Sequence, residues 1–470
     1  MNRATPIILA VALFMENMDA TVIATSLPAI AEAIGASPVA LKLALTAYLV
    51  ALAIFIPISG WMADRLGAKN VFRAAIVVFM LGSVACAFSG SLEAFVVSRF
   101  LQGVGGAMMT PVARLILFRT TARNQLVSAM AWLTIPALTG PLIGPPFGGF
   151  LTTYFGWQWI FFINLPIGAL GIAAISRFLP EIEPLPLRPI DWLGFLLTGT
   201  AFAGVVFGLS VVSLPALPPV VGILTAVVGV VAGLAYLAHA RRAKYPILDL
   251  KLFANPAFRA SIVGTSVFIL GVGAIPFLLP LTLQLAFGMT PFESGLITFV
   301  GAGGALFAKF FARRIYAAAG FRSVLTITAI ASAAGVAANG FFAPDWPIWA
   351  IMAVILAGGL VRSTFFTGVN ALTLADVGPE EVGHATAIMS VCRPIATALA
   401  VALAGSILEV TALVNGEELS LGDFQMAFFV VAAVSAFSLL PFLRLKPDAG
   451  SEVSGHHPGL DDGRDPAPGK

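Results

Sequence analysis

Charge is what this chain is short of: Asp, Glu, Lys and Arg together make up 10% of its 470 residues, against 59% hydrophobic ones. Soluble domains carry about 25% charged residues, so composition alone excludes an ordinary soluble fold. Cysteine is nearly absent. Cys86 and Cys392 both fall in apolar stretches, where a thiol acts as a small buried hydrophobe, and no disulfide framework can be read. Also missing are the G-x-x-x-x-G-K-[ST] loop that cradles nucleotide phosphates, the H-E-x-x-H of zinc hydrolases and the G-x-S-x-G nucleophile turn, which argues against direct ATP use and against an enzyme. No cofactor is implied, and no metal site: His456 and His457 stand in a polar tail without fixed geometry. The net charge of +3 does not point to nucleic acid, because the basic residues are spread over short links rather than gathered in a patch.

What the chain has instead is apolar length. Its mean hydropathy is +0.97, and fourteen apolar stretches begin near residues 6, 40, 71, 93, 126, 158, 190, 217, 257, 294, 323, 346, 384 and 424. Each approaches the roughly 20 residues a helix needs to cross the hydrocarbon, and none shows the alternation of a membrane barrel strand. The expected fold is an all-α integral membrane protein with 14 transmembrane helices. Basic residues sort into alternate links: Arg65, Lys69 and Arg73; Arg119 and Arg123; Arg177 and Arg188; Arg241, Arg242, Lys244, Lys251 and Arg259; Arg313, Arg314 and Arg322. The opposite links hold almost none, Lys42 being the main exception. The link after span twelve breaks the pattern with Asp376, Glu380 and Glu381, but acidic residues weigh little in the positive-inside rule, which puts both termini in the cytoplasm.

The spans group as six, two and six. Residues 1–178 are expected to form an N-terminal six-helix bundle, 179–250 two extra transmembrane helices and 251–445 a C-terminal six-helix bundle. Residues 446–470, polar and rich in Gly and Pro, are expected to be a disordered cytoplasmic tail. GWMADRLGAKNVFR (60–73) and AKFFARRIYAAAGFRSV (308–324) form a faint echo, each a basic turn between the second and third helices of its half. Such duplication is common in secondary transporters, which bind substrate between the halves. Trp157, Trp159 and Trp192 read as an aromatic belt, and His384 as an interface residue at the start of span thirteen.

An ionisable side chain at membrane depth is expensive, hence functional by default. Glu16 and Asp19 in span one lie three residues apart on one helix face. Burial and mutual repulsion favour a protonated member of the pair, which releases its proton on hydration or to a competing cation. That is the behaviour of a proton-coupling site; an acid neutralised by an arginine for structure alone is the alternative. Arg99 lies about two turns into span four, ahead of the small-residue run GVGGA. Being permanently charged, it must face the span-one acids, water, carbonyls or the substrate. Arg114, near the end of the same span, is expected to snorkel to headgroups. Arg362 and Arg393 are further cavity candidates, and four arginines against two acids keep an anionic substrate in view. In span five, GPLIGPPFGGF (140–150) has glycine and proline dense enough for close backbone approach and kinking. Asp64 and Arg65 sit between Gly60 and Gly67, where a carboxylate can bond a helix N-terminus of the other half and close the cytoplasmic side.

These stretches resemble the major facilitator superfamily, in its fourteen-span drug:proton antiporter branch, over roughly residues 6–445. GWMADRLGAK is similar to the superfamily's loop motif, with Gly60, Asp64, Arg65, Gly67 and Lys69 in register, and SRFLQGVGGA to its fourth-helix motif, with Arg99, Gln102, Gly103 and Gly105. The spacing of Gly140, Gly144, Pro145, Gly148 and Gly149 resembles the fifth-helix antiporter motif, and MDATVIATSLP the branch's first-helix motif, with Asp19, Thr21, Leu27 and Pro28. Ala24 stands where that motif usually has Asn, and Glu16 is an acid beyond the pattern.

The resemblance implies a major facilitator fold of two six-helix bundles plus two inserted helices. It also implies a proton-coupled antiporter, working as a monomer, that exports small amphipathic or drug-like compounds across the inner membrane. Its partners are then a small-molecule substrate, protons and the lipid bilayer. Asp19, Glu16 and Arg99 would couple protons; Asp19, Arg99, Gln102, Arg362 and Arg393 would line the substrate cavity; the loop-motif residues would form a cytoplasmic gate. The alternative is a carrier of organic anions or metal chelates of organic acids, with Arg99, Arg362 or Arg393 as counter-charge.

Overall fold

Long apolar runs in a medium without water must satisfy their own backbone, and helices do so within each segment. A computed structural model describes residues 4–122, 125–182, 189–214, 217–378, 381–415 and 419–456. Arg123, Arg188, Glu380 and His457, weighed above, lie outside them. The helices are α1 (Ala4–Ile34), α2 (Lys42–Leu66), α3 (Ala68–Ala87), α4 (Leu92–Thr120), α5 (Leu126–Tyr154), α6 (Trp159–Phe178) and α7 (Trp192–Val211). They continue with α8 (Pro219–Ala240), α9 (Pro256–Ala286), α12 (Ile348–Ala375), α13 (Val382–Asn415) and α14 (Leu421–Leu443). Between α9 and α12, Pro291–Asn339 is one helical run broken at Gly320, giving α10 (291–319) and α11 (321–339). All fourteen expected spans are present, each starting within a few residues of its expected position.

Polar side chains set several helix starts. Ser91 accepts from the Ala94 amide to open α4, Asn255 accepts from Ala257 and Phe258 to open α9, and Thr290 with Glu293 forms a capping box on α10. Gly67 (φ 84°) turns the chain between α2 and α3, and Gly320 (φ 67°) breaks α10 from α11. Both occupy the left-handed region that a β-carbon disfavours.

In the first half α1 packs on α5 and α6, and α4 on α2 and α3; in the second, α9 packs on α13 and α14. The inserted helices form a glycine-lined pair: a β-carbon on Gly204 would come within 2.7 Å of Gly229 Cα. α8 is peripheral, with Val227, Val228, Val231 and Leu234 exposed. α7 is not, since it packs on both α2 and α13 and so touches both halves.

The ends carrying Arg65, Arg119 and Arg177 define a basic face. At the far face the halves meet: Gly149 of α5 lies against the Pro291 carbonyl, Gly295 of α10 against that of Pro145, and Gln284 Nε2 donates to the Thr25 carbonyl at 2.9 Å. Farther along α5 and α10, Ile135, Phe307 and Phe310 are exposed. The seam between α2 and α13 is apolar, through a cluster that includes Ala53, Ile388 and Val391. The two halves thus meet at the far face and along the α2–α13 seam.

Two expectations are corrected. Trp157 is buried edge-on against Phe95 and Phe161 instead of joining the belt, whereas Trp159 and Trp192 are exposed. Residues 446–456, expected to be disordered, pack on the bundle: Gly450 (φ 68°) turns the chain onto Phe321 and Leu372, a short helix α15 (Ser451–Ser454) follows, and the His456 ring lies over Gly320. Gly320→Val should therefore cost about 1–2 kcal/mol from its left-handed backbone alone. Denaturation of the purified protein in detergent reads this directly, and an unchanged midpoint would contradict the break as described.

Candidate functional site

Small residues on α3 and α4 let these helices approach closely. A β-carbon on Gly82 would sit 2.6 Å from Gln102 Cα, and one on Gly103 2.6 Å from the Tyr48 carbonyl. Within that tight wall Arg99 and Gln102, one turn apart on α4, both reach Asp19 of α1. Arg99 Nη1 lies 2.7 Å from Asp19 Oδ2, with the two side chains 1% and 2% exposed. Gln102 Nε2 donates to Asp19 Oδ1 at 2.8 Å and to Ser83 Oγ at 2.8 Å, while its carbonyl oxygen accepts from Arg99. Asn164 of α6 donates to the same Asp19 oxygen at 2.8 Å and to Ser83 at 3.2 Å. The Arg99 guanidinium lies 4.4 Å from the Tyr48 ring centroid, a cation–π contact that helps keep a buried cation in place. Asp19 thus faces one fixed positive charge and two amide donors.

Asn164, Ser83 and Tyr48 were not singled out from sequence. Their only signal is polarity inside an apolar run, as in FFINLPIG.

Glu16 does not join this network. Its carboxylate accepts from Thr110 Oγ1 at 3.0 Å and keeps accessible surface, with Arg114 its nearest cationic influence. The two span-one acids share a helix but not a site. Arg114, expected at headgroups, instead lies between the electrostatic reach of Glu16 and that of Arg393 across the seam. On the second half Arg362, Phe366 and Asn370 recur every fourth residue along α12 and all keep accessible surface. Arg393 of α13 donates to Asn370 and lies 5.3 Å from the Phe366 ring centroid. Arg362, beside Gly301 and Gly358, makes no hydrogen bond or ion pair among the described residues. One acid and three arginines thus face the space between the halves, and the Asp19–Arg99 pair is set into its wall.

The loop motif folds onto its own half. Asp64 pairs with Arg119 of α4 at 2.5 Å, not with a helix of the other half as expected. Arg65 lies 5.2 Å from the Trp61 ring centroid, and Lys69 donates to the Leu179 carbonyl at 2.8 Å and pairs with Glu181 at 3.1 Å. Gly60 has open space around it. Among the described residues the Asp64, Arg65 and Lys69 side chains find their partners within their own half or the link that follows it. In the α5 motif Gly140, Gly144 and Gly148 form a stripe against Met18, Thr21 and Val22 of α1, while Pro145 and Gly149 face α10.

Two helical halves that meet at the far face, with an ion pair buried in the first and further ionisable groups partly accessible, have the build of a membrane transporter. The chain belongs to the Major Facilitator Superfamily, whose model matches residues 9–248 and 261–465. It is 35% identical over 453 residues, 94% of each chain, to the protein named "Putative multidrug resistance protein MdtD" of Cronobacter sakazakii. To the protein of the same name from Pectobacterium carotovorum it is 36% identical over 85% of this chain and 86% of that one. The solved peptide transporter POT in complex with sulfate aligns with TM-score 0.69 over 95% of both chains at 15% identity. The D-xylose-proton symporter gives 0.68 over 95% of this chain and 98% of its own at 12% identity, a likeness of fold. The chain has the major facilitator fold and is a small-molecule transporter of the lipid bilayer, not an enzyme.

Removing one partner of a buried ion pair strands the other, at about 3–5 kcal/mol, whereas replacing both with apolar residues is often near neutral. Asp19→Leu and Arg99→Met should each lower stability by about that amount, and the double variant should regain most of it. A double variant no more stable than either single would show that the two side chains do not act as a unit.

Proposed function

We propose that this transporter is a proton-coupled antiporter that exports small amphipathic, drug-like compounds across the inner membrane. The basic face and both termini lie in the cytoplasm, and one chain suffices for transport. The observation that carries this reading is the buried Asp19–Arg99 pair at the wall of a cleft shut at the far face. Protonation of Asp19 removes its attraction for Arg99 while Gln102 and Asn164 still hold the neutral acid by hydrogen bonds. The energy of the pair therefore differs between protonation states, which is the condition for a proton to bias a conformational equilibrium. Each proton moving inward yields about 2.3 kcal/mol per 100 mV, enough for one or two to sustain a useful gradient.

In this cycle Glu16 shares the cleft with the cargo. The six-two-six division gives two rocking bundles, with α7 as a strut against both. The Gly140–Gly149 stripe is the bearing on which α5 moves, and Asp64, Arg65 and Lys69 with Gly60 and Gly67 are the latch that engages the other half when the basic face closes. The name carried by the relatives supports a drug-like cargo.

One observation favours the second reading, a carrier of organic anions or metal chelates of organic acids. Arg114, Arg362 and Arg393, all partly accessible, outnumber Glu16, and Arg362 has no anionic partner among the described residues. Proteoliposomes holding the purified protein decide both matters. Asp19→Asn should abolish efflux driven by a pH gradient while inserting normally, and full efflux would remove Asp19 from the mechanism. If the cargo is anionic, carboxylates should compete and cationic dyes should not. Arg362→Gln should then weaken that competition by roughly tenfold or more, the loss of a charge-assisted hydrogen bond; equal competition in both proteins would leave the amphipathic reading standing.

A further inference from the structure

Lys42, the exception in the charge pattern of the links, has a partner in the other half. Its Nζ lies 2.5 Å from Glu409 Oε2, with the side chains 0% and 8% exposed. Lys42 opens α2 and Glu409 lies near the end of α13, so the pair spans the seam at the far face. Ser213, just past α7, donates to Glu409, accepts from Lys42 at 3.0 Å and lies 3.0 Å from the Ser406 hydroxyl. Gly405 makes room for the Lys42 stem, since a β-carbon there would collide with it. Lys42 is the one charged group that Glu409 pairs with among the described residues. α9 and α14 also pack on α13. The charged residues on them or next to their ends are Arg259 and Arg444 near the basic face, and Asp423, whose carboxylate is taken by Ser420 and Asn415.

We propose that Glu409 is a second proton-accepting site of the transport cycle, whose protonation from the far side releases α13 from α2. This rests on the reading of two halves that rock under proton coupling. Opening the far face must part α2 from α13 and break the pair. Parting it while charged gives up the attraction of an ammonium and a carboxylate held together in a dry seam. A neutral Glu409 removes that attraction, and Lys42 keeps Ser213 as an acceptor. The pair lies at the helix ends nearest the proton-rich side, so the gradient that loads Asp19 also unlocks its entrance.

The test uses the full chain in lipid nanodiscs, with Cys86 and Cys392 replaced by Ser and spin labels at Ser37 and at Val414, which is 79% exposed. Pulsed dipolar spectroscopy then reads the far-face distance between the halves. Acidification should move the otherwise unaltered protein from a short to a long distance, and Glu409→Gln should be mainly long at every pH. The charge exchange Lys42→Glu with Glu409→Lys should restore the short distance at alkaline pH, which separates loss of the lock from a folding defect. A Glu409→Gln protein with the parent's pH-dependent distances would overturn the proposal, as would an exchange variant that stays open at alkaline pH. Efflux by Asp19→Asn bears on the coupling reading alone: full efflux there would sink that reading and leave the Glu409 distance response intact.

Discussion

Everything in this structure is arranged around a carboxylate and a guanidinium shut inside an apolar bundle. Neither Asp19 nor Arg99 is tolerable at that depth alone, since an isolated buried ion costs several kcal/mol even after relaxation. They are tolerable together because α4 approaches α3 over Gly82 and Gly105 and α2 over Gly103, which brings Gln102, Ser83 and Tyr48 within bonding range. The small residues are therefore not filler. A β-carbon at Gly82 would drive α3 off Gln102 and loosen the amide that orients the acid.

The same economy of side-chain bulk builds the moving parts. On α5 one glycine stripe seats α1, which carries Asp19, and the adjoining Pro145 and Gly149 seat α10 of the other half. α5 thus lies a backbone's width from α1 on one side and from α10 on the other. Dispersion contacts of this kind are individually small and collectively large, and they suit an interface that must open and reclose. The hydrogen bonds that close the far face are few, and the charged lock at Lys42 and Glu409 stands out among them.

Spans were legible in the sequence because about 20 apolar residues in a row have little alternative to a membrane helix. Asp19, Arg99 and Gln102 were legible for the opposite reason: polarity at that depth needs an explanation, and a motif supplied one. What sequence hid was partnership. Arg114 was read as snorkelling because its depth is visible and its rotation about the helix axis is not; it is only partly exposed and within electrostatic range of Glu16. Asp64 was expected to bond a helix of the other half and instead pairs with Arg119 of its own, a partner 55 residues away that the motif does not name. Asn164 and Ser83 gave only the weak signal of a neutral polar side chain, common in membrane helices for helix packing. Lys42 and Glu409 are 367 residues apart, and nothing local to either announces the other.

The central claim is that Asp19 holds and releases a proton according to whether it is paired with Arg99. Infrared difference spectra of the purified protein, recorded between acidic and alkaline pH, observe a protonated carboxyl through its C=O stretch. The account predicts a carboxylic-acid band at acidic pH that Asp19→Asn removes and Glu16→Gln leaves in place. Identical difference spectra for the parent protein and Asp19→Asn would mean that this carboxyl never takes a proton, and would contradict the account at its base.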